Sequence, residues 1–186
     1  MFKSPSVLII GQNHAMNFDL EDEDESDRII KHFSEQIPNE NTFKEHNQKF
    51  ANELKKTIDE VEKEFPKFKL TYNWLGTNRC AIQANKDNFI EKIKKHKNFK
   101  LCQEEMDELL LCLIKFIKPQ NIILTGKYAC ELFYTEKKLS EMKPRKEENF
   151  PTNLIPLMHF SYSSHRKENI KRLKDAINDG YLTLNN

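Results

Sequence analysis

VLII at residues 7–10 is a run of four apolar residues closed at once by Gly11. A run that short, bounded by a turn former, reads as a strand buried on both faces entering a loop. NIILTG at 121–126 repeats the pattern. KLTYNWL at 69–75 alternates, is rich in aromatics and is closed by Gly76, so it reads as another strand. NLIPLMHF at 153–160 is the fourth. Helical periods separate these runs. NTFKEHNQKFANELKKTIDEVEKEF spaces Phe43, Phe50, Leu54, Ile58, Val61 and Phe65 three or four apart, with Asn41 or Thr42 as the cap and Pro66 as the stop. Residues 87–95 and 103–117 are also expected to be helical, the second through Met106, Leu109, Leu110, Leu113 and Phe116. KYACELFYTE reads as a helix after the third strand, followed by a Lys- and Glu-rich connector at 136–149. The last helix, 166–178, carries Ile170, Leu173 and Ile177 on one face and basic residues on the other. Strand and helix alternate, which predicts a three-layer α/β/α domain with a short, mostly parallel central sheet. The 186 residues suit a single domain over 1–186.

Composition narrows the function classes. Lys plus Arg total 30 against 29 Asp plus Glu, a net charge of +1, which argues against a strongly basic, sequence-blind nucleic-acid coat. A binder with its positive charge on one face is still allowed. No apolar run reaches the ~18 residues of a membrane helix. The apolar run in MFKSPSVLIIGQNHA is too short for a signal peptide, so the expected location is the cytoplasm. Cys80, Cys102, Cys112 and Cys130 form no CxxC pair and have no paired histidines nearby, so no zinc, iron–sulfur cluster or other cofactor is expected. Cys112 is expected to be a small buried hydrophobe. The acidic run at 19–27 is expected to be a solvated loop or helix start.

In a parallel sheet the chemistry gathers at the carboxyl ends of the strands. Four polar stretches are expected there as loops: GQNHA at 11–15, GTNRC at 76–80, TGKYA at 125–129 and HFSYSSHR at 159–166. None has the spacing of a phosphate loop or a dinucleotide fingerprint. Singly, Asn13 and Asn78 read as turn formers as readily as ligands. His159 alone reads as a hydrogen-bonded structural residue, and nothing in the spacing singles out Cys80 and His159 as a catalytic pair.

In order, however, the four stretches resemble the uracil-DNA glycosylase superfamily. VLIIGQNHA is similar to its first strand and water-activating loop, with Asn13 in the place of the usual Asp or Asn. LGTNRCAIQ is similar to the strand and loop carrying the base-reading Asn, IKPQNIILTGKYACELF to the helix–Pro–strand–Gly–helix segment, and LMHFSYSSHR to the closing His motif with its basic trailer. The chain departs from the pattern at His14 and Phe160, where Pro is usual. The aromatic that stacks on the base falls, by position, within the acidic run, with Phe18 before it and Phe33 after it. Ser163 or Tyr162 stands near the place of the residue pushed into the DNA stack. No cysteine precedes Cys80, whereas the iron–sulfur members carry two near the N-terminus.

The resemblance implies a monomeric DNA glycosylase that flips out uracil or a related modified pyrimidine and hydrolyses its N-glycosidic bond, with DNA as the partner and no membrane. Asn13 would position the water, and His159 would stabilise the departing base anion. Asn78, at once donor and acceptor, would read the pyrimidine edge, with Gly11, Gln12 and His14 completing the pocket. Ser161, Ser163, Ser164, Arg166 and Lys167 would contact phosphates at the start of the last helix, unless that face is merely solvated. Two other readings stay open. One is a glycosylase-fold protein that binds DNA or a protein without catalysis. The other is a small-molecule hydrolase or transferase, for which no nucleophile elbow exists.

Overall fold

The computed structural model describes residues 6–15, 49–68, 74–84, 94–95, 97–160 and 162–184. Strand β1 (Val7–Ala15) is an interior strand of the sheet, flanked in parallel by β2 (Trp74–Ala84) and β3 (Asn121–Thr125). β5 (Asn153–Leu157) pairs in parallel with β3, and the two-residue β4 (Arg145–Lys146) closes the far edge antiparallel to β5. The order is β2-β1-β3-β5-β4.

Alternation along β1 sorts the core into two clusters, one on each face. Val7 and Ile9 join Ile123, Ile155 and Leu157 beneath two helices, α1 (Lys49–Glu64) and α4 (Arg166–Asn178). α1 contributes Leu54, Ile58 and Val61, and α4 contributes Leu173 and Ala176. Leu8 and Ile10 join Ile122, Leu124 and Leu154 on the other face, beneath α2 (Phe99–Ile117) and the short α3 (Lys127–Cys130). VLII is fully buried because both of its faces are covered. Each such side chain contributes roughly 1.5–3 kcal/mol relative to exposure. α2 ends where Lys118 turns left-handed at φ 51° and returns its N–H to the Ile114 carbonyl, just before Pro119. Among the described residues no helix is long and apolar enough to cross a membrane.

Several local expectations change. Gly11 and Gly76 do not end their strands: β1 runs to Ala15 and β2 to Ala84, so GQNHA and GTNRC are extended backbone rather than loops. The two strands go on satisfying each other's backbone groups, with Gly11 opposite Asn78 and Asn13 opposite Cys80, before a register shift brings Ala15 opposite Ala84. α2 begins at Phe99 instead of 103, and helix α3 stops at Cys130 with a turn in its place beyond. The connector at 136–149 supplies β4, and β5 ends at Leu157, leaving Met158 to Phe160 outside the strand. Cys112 is exposed, not buried, because Leu110 and Ile114 take the inward positions of α2. The acidic run, the caps Asn41 and Thr42, and all but the last two residues of the helix expected at 87–95 lie outside the described residues. Those two, 94–95, form a turn.

Candidate functional site

In the β1–β2 ladder Gly11 faces Asn78, one residue past the last pair that β1 shares with β3. A Cβ on residue 11 would fall inside the contact distance of Asn78 Oδ1, so glycine is what lets the carboxamide lie across β1. The Asn78 Nδ2 is buried and has no hydrogen-bond partner among the described residues. A buried donor left in that state costs about 1–3 kcal/mol. Strand alternation puts Asn78 on the same face as Trp74, the face covered by α1 and α4.

His159 reaches that same face from two residues beyond β5. Its ring meets Phe50 of α1 edge-on, with centroids 5.6 Å apart. Gly126, at φ 86°, allows the close approach: a Cβ there would stand 3.3 Å from both Cβ and Cδ2 of His159. The Gly126 N–H donates to the Leu157 carbonyl at 2.8 Å, fixing the loop after β3 to the end of β5. His165 Nδ1 lies 3.1 Å from the His159 carbonyl, geometry that puts the His165 proton on Nδ1. Tyr162, 47% exposed, stands between the two histidines, 6.3 Å from the His159 ring and 5.2 Å from that of His165. Asn78 and His159 thus flank β1 and β3, about 14 Å of sheet at ordinary strand spacing.

The other expected residues fall into three groups. Gln12, Asn13 and His14 lie in the last stretch of β1 before Ala15, where Asn13 is in register with Cys80; their side chains, and that of Cys80, lie outside the described part of the structure. So do Ser161, Phe18 and Phe33. Ser163 and Ser164 are exposed in a 3-10 turn leading into α4, and Lys167 is exposed on its first turn. Arg166 is engaged elsewhere. Its Nε and Nη2 each donate at 2.7 Å to the carboxylate of Glu53, a residue of α1 that is only 7% exposed. The Arg166 hydrogen bond outweighs burial and holds the Glu53 carboxyl below the usual carboxylate range.

Three residues of this region escape a reading by period and motif alone. Phe50 reads as helix core, yet it is half-buried against His159 and Phe160. Arg79 follows Asn78 and so must project to the opposite face, where it is 8% exposed and paired with Asp107 of α2. The signal for that pair is Gln103 and Asp107 on the inward stripe of α2, at helical spacing from Leu110 and Ile114. Cys130 is no nucleophile, since burial pushes its thiol up to about 12. Among the described residues no group of three or more His, Cys, Asp and Glu is placed to hold a metal ion. The chain matches no protein-family model, and no curated protein matches it in sequence.

Proposed function

We propose that the chain is a monofunctional DNA glycosylase that extrudes uracil or a related modified or damaged pyrimidine and hydrolyses its N-glycosidic bond. The observation that carries this reading is the Asn78 carboxamide, laid across Gly11 with a buried donor that finds no partner among the described residues. An amide presents a donor and an acceptor side by side, as the edge of a pyrimidine requires. His159 lies beyond the end of β5 on the same face, where a hydrogen bond to the departing base anion stabilises charge as it develops. In the step itself the C1′–N bond breaks with its bonding pair leaving on the base, the oxygen of water bonds to C1′, and the proton that this water releases ends on the base nitrogen. Asn13, in register with Cys80, is the residue that the resemblance assigns to the water. Exposed Tyr162 is suited to enter the gap left in the base stack. Ser163, Ser164 and Lys167 are exposed to phosphates, and Arg166 can join them by leaving Glu53. Such an enzyme acts on DNA in the cytoplasm or nucleoid, as a monomer and without a cofactor.

The test is base release from duplex and single-stranded oligonucleotides bearing uracil, hypoxanthine, thymine mispairs or modified cytosines, read as alkali-labile sites. Release from at least one pyrimidine substrate, reduced at least ~10²-fold by His159→Ala or Asn13→Ala, supports the reading. No release from any substrate, or full activity in both variants, refutes it. A second reading, a glycosylase-fold protein that holds a protein partner without catalysis, is favoured by the exposure of Leu109 and Phe116 on α2. Inactivity on every oligonucleotide would favour that reading.

A further inference from the structure

Behind the site, on the opposite face of the sheet, Arg79 sits in a closed set of contacts. Its Nε and Nη2 donate to the two carboxylate oxygens of Asp107 at 2.8 and 2.7 Å, and its Nη1 donates to the Tyr128 carbonyl at 2.6 Å. Gln103 Nε2 donates to the same carboxylate at 2.7 Å, and the Tyr128 hydroxyl donates to Gln103 Oε1. The guanidinium carbon stands 4.8 Å from the centre of the Tyr128 ring. Burial works against this charge, but the hydrogen bonds and charge of Asp107, with Tyr128 and Glu131, more than offset it and keep the group protonated. Three elements are joined in this way: β2 through Arg79, α2 through Asp107 and α3 through Tyr128.

The two ends of this set lead to the two sides of the site. Arg79 is the immediate neighbour of Asn78 on β2. Tyr128 lies in the first turn after Gly126, and Gly126 is the residue on which His159 rests. A planar fork on a bidentate carboxylate fixes orientation as well as distance, which a lysine cannot reproduce.

We propose that Arg79 is the positioning residue of the site: held by Asp107, it sets the placement of the Asn78 carboxamide relative to the His159 ring through the Tyr128–Gly126 turn. It touches no substrate, and its effect reaches the site through the two strand ends. The catalytic arm of the test rests on the glycosylase reading; the spectroscopic arm does not.

The spectroscopic arm follows the Asn78 carboxamide and the His159 ring by NMR in the full chain. Arg79→Lys keeps the charge and loses the fork, and Asp107→Asn keeps the shape and loses the charge. Both signals should shift in each variant, and Asp107→Glu, which retains the carboxylate, should return them toward the wild type. Asp107→Asn carries the test if Arg79→Lys does not fold. Ile122→Val, near the amino end of β3, is the stability control and should lower the melting temperature with both signals in place. A His159 signal that stays fixed in the Arg79 and Asp107 variants overturns the proposal, as does an equal shift in Ile122→Val. In the catalytic arm, single-turnover base release at saturating enzyme should fall roughly 10²-fold, the scale of a small misplacement, with duplex affinity unchanged. A loss that only tracks the folded fraction overturns the positioning role. Absence of release by the wild type refutes the glycosylase reading instead, and the NMR arm then decides the proposal alone.

Discussion

Asn121 donates its Nδ2 to the carbonyls of Ser6, at 3.1 Å, and Thr183, at 2.5 Å, while its Oδ1 accepts from Asn153 Nδ2 at 3.2 Å. That carboxamide, at the amino end of the sheet, is consumed by the fold. The carboxamide of Asn78, near the carboxyl end, has a buried donor with no partner among the described residues. Thr152 Oγ1, just before β5, is the other such atom, but a hydroxyl turns freely and carries no fixed pair of donor and acceptor. The two asparagines should therefore answer opposite to the same substitution. Asn121→Leu should lower stability by about 2 kcal/mol, since it takes the partner from the Thr183 carbonyl and from Asn153 Nδ2 as well as losing its own bonds. Asn78→Leu should leave stability unchanged or raised, because it removes an unmatched donor, and on the proposed reading should abolish selective base release. Urea unfolding checks both. An Asn78→Leu loss as large as that of Asn121→Leu would mean that the amide is structural.

At the scale of elements, α1 and α4 are tied by charge as well as by their apolar stripes. Arg166 grips Glu53 and Lys174 pairs with Glu64. Because Arg166 depresses the Glu53 carboxyl, the tie is at full strength above the ordinary carboxylate range and is lost as pH falls through the lowered value. Glu53→Gln should thus cost about 1 kcal/mol at neutral pH, with the difference from wild type shrinking toward zero in acid. Unfolding midpoints measured from pH 7 down to about 3 follow this, and a difference independent of pH would assign the loss to packing. α2 makes a contrasting case. Leu110 and Ile114 are buried, whereas Leu109 is 71% and Phe116 83% exposed. Leu109→Lys and Phe116→Lys should each change stability by no more than about 0.5 kcal/mol, while Ile114→Ala should lose about 2–5 kcal/mol. Comparable losses at all three positions would show that the face is covered.

How far these features could be read in advance depends on how local their causes are. The split of VLII between two faces and the α1 stripe of Leu54, Ile58 and Val61 follow from periods of two and 3.6, which need no knowledge of neighbours. By local pattern Gly11 and Gly76 stop their strands, because glycine punctuates short apolar runs. Gly11 instead admits a side chain from the next strand, a reason visible only once β2 lies beside β1. The Arg79–Asp107 and Arg166–Glu53 pairs join residues far apart in the chain, and no local pattern names the partner. Polar residues on inward stripes announce that partners exist, and only the fold says which.

For the molecule as a whole, a net charge of +1 supplies little long-range attraction to a polyanion, so affinity for DNA has to come from where the cations stand. On the proposed reading they stand at the start of α4, beside the exposed Ser163 and Ser164. Lys167 is exposed there, whereas Arg166 already has its charge met by Glu53. The salt dependence of duplex binding separates the two, because each phosphate contact adds close to one unit to its slope. Lys167→Ala should flatten the slope by about one unit in every base context. Arg166→Ala should flatten it less, since little counterion release is lost with a cation that is already paired. Glu53→Gln should do the reverse, freeing Arg166 and steepening the slope by up to about one unit. Fluorescence anisotropy of a labelled duplex between about 50 and 200 mM salt measures all three. Equal flattening by Arg166→Ala and Lys167→Ala would show that the Glu53 pair opens on contact with DNA. An unchanged slope in all three variants would make the α4 face merely solvated, and the phosphate clamp would have to be sought elsewhere on the molecule.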